Sequence, residues 1–502
     1  NLRSNLYTTE DFLDSLQVSK NYMADQNLYI RERIFDMWTG DWNKTNENWE
    51  WQSHTVNDSV IYTPIVIDRN HAFTKVDGVL FKQMLKMLSL DFICNYDSLI
   101  LKDTKKINKL AFALDMAVAG RSDESVWIRQ AQEIRRQMTD SLIDSAFTYL
   151  PEGVKHDEIE LIKRKLKRRR LELEAVASQY YRLLQRTPVV AGTNQSDYFL
   201  IERQAPDRTV LRIYDPETGD CRLEQQFSGK ETKELWLYGL AGNDTFEVKG
   251  NTRKDFPIYL ISGEGENQYQ LNHNRKIHVY DKDYKYDYQK IKYHKISFTP
   301  WGIYDSDKGI SLGTFFTYTM YGFKRAPFTY QHRIGYNYLK GFMYAGIFPN
   351  YDGRRRLYLN ASISSPRNFE NFFGFGNNTA GYKEEKKNYN RVKLRTYMFN
   401  PSFEMDLRKE EVMTFFGSLD MYKAKRTDDR YIYTVYGEDH PIFRTNYFVG
   451  LGATYRITKQ PYSWLPLLET EWTAGWKMNL KKPERNFPYA QGSLSWNVRF
   501  SD

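Results

Sequence analysis

Ala490-Gln-Gly-Ser-Leu-Ser-Trp-Asn-Val-Arg-Phe500 alternates strictly: Leu494, Trp496, Val498 and Phe500 fall on one face of an extended strand, and Ser495, Asn497 and Arg499 on the other. A strand of about ten residues is what a tilted crossing of a bilayer needs. Comparable stretches recur upstream at 310–320, 328–338, 342–348, 356–364, 391–399, 413–422, 445–457 and 468–480, separated by charged or Gly- and Asn-rich turns. A soluble β-sandwich gives the same alternation. Strand length and aromatic content favour lipid: Phe, Trp and Tyr make up 16% of the chain, with 38 Tyr, and the excess lies mostly after Tyr280. Aromatic girdles at both membrane faces account for such an excess. Residues 296–502 are therefore expected to form part of a transmembrane antiparallel β-barrel. About nine long strands can be counted, whereas bacterial barrels have even strand numbers. The expectation is a fragment that begins before Asn1 and continues beyond Asp502.

No run of about 18 apolar residues occurs, so no transmembrane helix is expected, which leaves a barrel open. Cys94 and Cys221 are too few for a disulfide framework or a CxxC metal site. The net charge is +9, and much of it sits in Lys163-Arg-Lys-Leu-Lys-Arg-Arg-Arg170. Such a run reads first as a solvated helix face and second as a partner for anionic lipid headgroups. No nucleic-acid module accompanies it, and no nucleic-acid partner is expected.

The chain before the barrel falls into two regions. Residues 1–190 read as mainly helical. Leu28, Ile30, Ile34 and Met37 recur at helical spacing, Thr8 or Thr9 can cap a first helix with Asp11 in its first turn, and further helices are expected at 124–149 and 156–184. Residues 195–290 read as a small all-β domain, with short strands at Tyr198, Val210, Leu235 and Ile258 and a turn at Pro216-Glu-Thr-Gly219. The fold class is thus α+β.

Two constellations could carry chemistry. The first is Phe35-Asp-Met-Trp-Thr-Gly-Asp-Trp-Asn-Lys-Thr-Asn-Glu-Asn-Trp-Glu-Trp51, followed by Tyr62-Thr-Pro-Ile-Val-Ile-Asp-Arg-Asn-His-Ala-Phe73. A polar loop with Asp41 and Glu47, then a strand delivering Asp68, is how phosphoryl-transfer folds bring a base and a metal ligand together. The plainer account is a structural knot in which Trp42, Trp49 and Trp51 pack and Asp68 pairs with Arg69. The second is Gly239-Leu-Ala-Gly-Asn-Asp-Thr-Phe246 with Ser262-Gly-Glu-Gly-Glu-Asn-Gln-Tyr269, each like one turn of a calcium-binding nonapeptide, with Asp244 and Asn267 as candidate ligands. Structural Gly turns between stacked strands would give the same pattern. Calcium or magnesium is the cofactor these sets would take. The eight His residues show no HExxH spacing, and neither a Gly-x-Ser-x-Gly elbow nor a P-loop is present.

The first constellation resembles Gly-Asp-Trp-Asp-Arg-His-x-Asp-x-Trp-x-Trp followed by Pro-x-x-Arg-Asp-Arg-Asp-x-x-Phe, a motif of large outer-membrane proteins of Bacteroidota-type bacteria. In that family a calcineurin-like metallophosphoesterase domain comes first, a middle region follows, and a surface-antigen-type barrel, similar to outer-membrane assembly factors, closes the chain. The resemblance extends through Leu150-Pro-Glu, Tyr180-Tyr-Arg-Leu-Leu, Leu237-Tyr-Gly-Leu-Ala-Gly-Asn-Asp-Thr-Phe246 and Asn371-Phe-Phe-Gly-Phe-Gly-Asn-Asn-Thr379. Asp41, Trp42, Trp49, Trp51, Asp68, Arg69 and Phe73 match it; Asn43, Lys44 and Thr45 replace Asp-Arg-His, Glu47 replaces Asp, and Asn70 replaces the second Asp. The motif is also similar, more distantly, to the catalytic loop of atypical secreted kinases, where Asn43 would stand for the base; an amide cannot accept a substrate proton as a carboxylate does.

The resemblance implies an outer-membrane location with the N-terminal half in the periplasm, lipid and other envelope proteins as partners, and an anchoring or scaffold role. No intact catalytic site is expected, since the phosphoesterase would lie upstream. Two other readings are a barrel-tethered periplasmic phosphotransferase using Asp41, Glu47 and Asp68, and a secreted all-β binding protein.

Overall fold

The computed structural model describes residues 5–87, 90–151, 153, 156–204, 206–250, 254–271, 276–280, 286–292, 294–305, 307–322, 325, 327–350, 354–374, 388–459 and 467–497. The fold is mixed α+β. It divides into two compact units, Asn1–Lys292 and Tyr293–Asp502.

The first unit opens with a four-stranded sheet in the order β1-β3-β4-β2, built from β1 (Leu6–Tyr7), β2 (Tyr22–Ala24), β3 (Trp49–Val56) and β4 (Ser59–Val66). Its helices are α1 (Thr9–Val18), α2 (Gln26–Thr39), α3 (Val79–Met87), α4 (Thr104–Ile107), α5 (Phe112–Ala119), α6 (Glu124–Gln137), α7 (Asp140–Ala146), α8 (His156–Arg170) and α9 (Leu173–Leu184). Thr8 caps α1 by accepting from Asp11 N, and Asp25 caps α2 by accepting from Leu28 N. The helix expected over 124–149 breaks after Gln137, where Thr139 starts α7 as a new N-cap, and that over 156–184 breaks between Arg170 and Leu173. The basic run is not simply a solvated face. Arg169 is buried and caps the end of α2, donating to Met37 O (2.5 Å) and Trp38 O (2.7 Å), and Lys165 donates to Tyr96 O. Four carbonyls are left free at a helix C-terminus, and a buried guanidinium satisfies two of them here.

The small β region belongs to the same unit and is a stack of coils. One sheet runs β12-β10-β6-β7-β8 and the other β13-β11-β9-β5, with β5 (Val189–Ala191), β6 (Tyr198–Gln204), β7 (Arg208–Tyr214), β8 (Cys221–Ser228), β9 (Leu235–Tyr238), β10 (Thr245–Gly250), β11 (Ile258–Ile261), β12 (Gln268–Leu271) and β13 (Ile277–Tyr280). The chain crosses from one sheet to the other in three six-residue arcs, 192–197, 239–244 and 262–267, so successive coils stack in parallel register: Tyr198, Thr245 and Gln268 pair in a row. Between the sheets lies a closed apolar core that includes Val190, Phe199, Leu237, Phe246, Val248 and Leu260. The β7–β8 hairpin extends one sheet antiparallel through the expected turn at Gly219.

The second unit is one large antiparallel sheet. Its path is β14 (Lys295–Asp305), β15 (Gly309–Met320), β16 (Tyr330–Asn337), β17 (Gly341–Pro349), β18 (Arg355–Ser364), β20 (Arg391–Arg408), β21 (Glu411–Ala424), β22 (Asn446–Lys459), β23 (Leu467–Asn479) and β24 (Phe487–Asn497), with β19 (Phe369–Asn371) paired to β20. Among the described residues, β14 and β24 pair with one neighbour each, so the sheet is open. Two features differ from expectation. β14 adds a strand, inside the region expected to be barrel, to those the alternation marks; Pro300 and Gly302 interrupt its pattern. β20 is twice the expected length, at 18 residues. Val498, Arg499 and Phe500 lie outside the described residues.

The register divides the sheet into two faces. From Phe298 opposite Phe316, the rows run on through Ile334, Tyr344, Ala361, Phe399, Leu419, Val449 and Met478. Ile296 (76% exposed), Leu494 (71%) and Trp472 (62%) lie on this face. Its charges sit toward the strand ends: Arg355, Glu411 and Lys459 at one, Arg395 and Lys423 at the other. The opposite face carries Arg356 paired with Glu404 (2.8 Å) and Asp406 (2.9 Å), Lys477 with Asp420 (2.5 Å), and Thr454 with Thr473 (2.9 Å). Connections alternate between two ends. Residues 365–390 and 425–445 are the long ones and share an end; the chain enters β14 at the other, beside the two-residue turn 409–410. Within 425–445, α10 (Tyr431–Tyr436) folds back, and Ile432 and Phe443 join Val392 and Ala424 in a small apolar cluster on the polar side of the sheet.

Candidate functional site

The motif that dominates the sequence sits where α2 meets the β3–β4 hairpin. Helix α2 ends at Gly40, whose φ of +80° is left-handed and whose absent Cβ leaves room for the Tyr96 ring. Beyond it the chain enters the polar loop. Thr45 and Asn48 close a reciprocal capping box around the 3-10 turn Asn46–Asn48, and β3 then directs Trp49 and Trp51 to the same buried face. Trp51 stacks on Phe12 at 3.6 Å, Trp49 packs on Tyr29 at 4.9 Å, and the Trp51 indole donates to Thr9 Oγ1 (3.2 Å).

The charged groups form a buried network, most of whose members the sequence pattern does not announce. Arg33, on the inner face of α2, donates to Asp36 (3.0 Å), Asp115 (2.8 and 3.2 Å) and Asn108 (2.7 Å). Asp115, from the apolar helix α5, also accepts from the Tyr29 (2.7 Å) and Tyr180 (2.5 Å) hydroxyls. Arg69 donates to Asp36 (2.9 Å) and pairs with Glu32. Lys44, 1% exposed, reaches Asp41 (2.5 Å), the Asp68 carbonyl (2.6 Å) and Asp36 (3.7 Å). Burial pushes the Asp36 carboxyl up from its ordinary range while Arg33, Lys44 and Arg69 pull it down. Burial works against the Arg33 cation, yet Asp115 and Asp36 hold it protonated well above its ordinary value.

The proposed acidic groups are therefore dispersed in role. Asp41 is buried against Lys44. The half-buried Asp68 carboxylate accepts from the Asn48 amide (3.2 Å) rather than pairing with Arg69, and Glu47 is exposed. Asn43 is half-buried and Asn70 exposed; Trp42 donates to Thr74 Oγ1 (3.2 Å) beside His71. In a phosphoryl-transfer site a cation sits between such carboxylates; here the Lys44 ammonium holds the place between Asp41 and the Asp68 carbonyl. The signal for the network was available in retrospect: Arg33 and Asp36 interrupt the apolar stripe of α2, and Asp115 interrupts the most apolar helical segment of the chain.

At the second constellation, the three arcs lie directly on one another. Gly263 and Gly265, at φ of +74° and +114°, lie so close to the Leu240 and Gly242 carbonyls that a Cβ would sit 1.9 Å from them. The last residue of each arc makes a ladder: Asp197 N donates to Asp244 Oδ1, and Asp244 N to Asn267 Oδ1, both at 2.9 Å. Asp244 Oδ2 is buried without a partner among the described residues, and burial lifts its carboxyl to about 7. Asp244 and Asn267 thus each use one oxygen to tie rungs together. Among the described residues no group of three or more His, Cys, Asp or Glu could hold a metal ion. No family model, curated protein or solved structure matches the chain.

Proposed function

We propose that this chain is a membrane anchor and scaffold: an outer-membrane β-barrel sheet carrying a periplasmic N-terminal unit with no intact catalytic site. The observation that carries the reading is the division of the ten-strand path into a mainly apolar face with its charges at the strand ends and a polar face with its own ion pairs. Water does not favour leaving Ile296, Trp472 and Leu494 so exposed, whereas hydrocarbon does. The dimensions agree. Along β20, residues 397–405 separate the charged fringes, and nine residues at about 3.3 Å each, tilted by about 40°, stand roughly 20–25 Å tall, close to the apolar band of known barrels. The paired charges of the other face suit a water-filled interior. Short turns mark the periplasmic end of such barrels and long loops the outer end, so entry of the chain into β14 at the end of the two-residue turn supports a periplasmic first unit. In lipid, the open edges of β14 and β24 would need further strands, because unpaired backbone groups each cost several kcal/mol there. The order of the quoted motifs supports placing the chain in the middle-plus-barrel part of a metallophosphoesterase-associated, surface-antigen-like protein.

Solubility tests the reading. The full chain should stay dispersed with its β-sheet signal intact only in detergent or lipid. A monodisperse monomer in plain buffer, with the same circular dichroism spectrum, would overturn the membrane assignment.

A further inference from the structure

A pocket of about 360 Å³ opens on the polar side of the second unit, at the end of the long connections. Its floor is strand-borne Leu394, Tyr422 and Phe448; Ile432 and Ile442 from the folded-back 425–445 segment wall one side, and Phe372 another. The size falls at the lower end of small-molecule sites, and the walls are apolar and aromatic as such sites are. Four polar side chains line it, Glu370, Asn371, Asn446 and Arg485; the Glu370 carboxylate is already paired with Lys308 (2.9 Å), and Asn371 and Arg485 set the pocket apart from a packing gap. The Asn371 amide lines the pocket and is pinned, because its nitrogen donates to Asp307 Oδ2 (2.5 Å); its carbonyl oxygen is buried with no partner among the described residues. A flip would bring two acceptors together, so Oδ1 remains the group that wants a donor. Arg485 also lines the pocket. Its guanidinium is held by Asn446 Oδ1 (2.6 Å), and among the described residues no carboxylate pairs with it.

We infer that this pocket binds a small amphipathic acid: an aromatic or aliphatic body against Phe372, Tyr422 and Phe448, an acid group on Arg485, and a hydroxyl or amine donating to Asn371. A planar guanidinium matches a carboxylate or phosphate through paired N–H donors. The site stands on the pocket's own geometry and does not depend on the membrane reading.

The test is calorimetric titration of the full chain, in whichever medium the solubility experiment shows to keep it monodisperse. The probes are 4-hydroxyphenylacetate and its uncharged analogue 4-hydroxyphenylethanol. The acid should bind more tightly than the alcohol by about tenfold or more, the scale of one charge-assisted hydrogen bond. Arg485→Gln should erase that difference while leaving alcohol binding in place, and Ala424→Phe, which fills the pocket, should remove both. Failure of the acid to bind, equal affinity for the two probes, or unchanged binding in Ala424→Phe would each overturn the assignment.

Discussion

The two units of this chain handle charge in opposite ways. In the first, large aromatics such as Trp49, Trp51 and Trp127 are wholly buried, and the charges buried with them, Arg33, Asp36, Lys44 and Asp115, are each engaged by several partners. In the second, Trp472, Trp476 and Trp496 are exposed on the apolar face, whose charges keep to the strand ends, and paired charges line the opposite face of the sheet. On the proposed membrane reading, the contrast reflects the solvent each unit faces. Water demands that apolar surface be covered and that buried charge be matched; hydrocarbon demands that the outward face be apolar and that backbone groups be paired within the sheet.

The sharpest way to break this comparison is to remove one buried charge. Arg33→Ala leaves the buried Asp115 without its cation and Asp36 with only Arg69 and Lys44, and loss of about 3–5 kcal/mol from the first unit is expected, enough to unfold it. Combining Arg33→Met with Asp115→Leu should recover only part of that loss, because the apolar pair removes the buried charges but leaves the Tyr29 and Tyr180 hydroxyls without their acceptor. Urea unfolding monitored by tryptophan fluorescence reads both. A single Arg33→Ala that unfolds like the parent chain would mean the network contributes nothing.

A smaller effect should separate the two faces of the sheet. Trp472 and Thr473 are neighbours on β23, one outward and one paired to Thr454 across the polar face. Trp472→Arg should destabilise the lipid-inserted state by about 2–4 kcal/mol, the scale for a cation near a bilayer midplane, whereas Thr473→Arg should cost far less. Refolding into vesicles at graded urea measures the difference. Equal penalties at the two positions would remove the lipid-facing assignment.

How much of this was legible in the sequence depends on which physical rule wrote it. The alternation of Leu494 and Trp496 against Ser495 is a period-two signal, and the observed register puts those residues on the faces it implies. The strands at Leu235 and Ile258 were legible from their apolar runs. Their parallel stacking was not, although the fully buried Leu235–Tyr238 is the uninterrupted pattern that parallel strands produce. The buried network was only partly legible because a carboxylate's partners can come from distant segments: Lys44 is three residues from Asp41, but Asp115 reaches Arg33 across 82 residues. Strand β14 was hidden by Pro300 and Gly302, which interrupt its alternation although the backbone pairs with β15 along its whole length.

The ladder of arcs in the first unit gives the finest test, because there a single carboxylate oxygen is buried without a partner among the described residues. Asp244 satisfies Oδ1 through Asp197 N, but its buried Oδ2 has no partner among the described residues, and both Oδ2 and the Ser262 carbonyl lie within 2.6 Å of where a Cβ on Gly239 would be. Burial, joined by the nearby Asp197 charge, raises the Asp244 carboxyl to about 7, against backbone donation from Asp197 N and the pull of Lys20. A folded-state value above the unfolded one means that the folded protein holds this proton more tightly. The group therefore costs nothing below about pH 4, where both states are protonated; stability is lost as pH rises from about 4 to about 7, and the loss persists above. Asp244→Asn replaces the unpartnered Oδ2 by an uncharged N–H donor, using the residue type that Asn267 already supplies one rung on. The variant should gain about 1–3 kcal/mol at pH 7.5, the scale of relieving one buried unsatisfied group, and little at pH 4.5. Thermal unfolding of the chain and the variant at the two pH values measures this. A variant less stable than the parent at pH 7.5 would mean that the Asp244 carboxylate has a partner the geometry does not reveal, and would restore a bound cation as the reason for its charge.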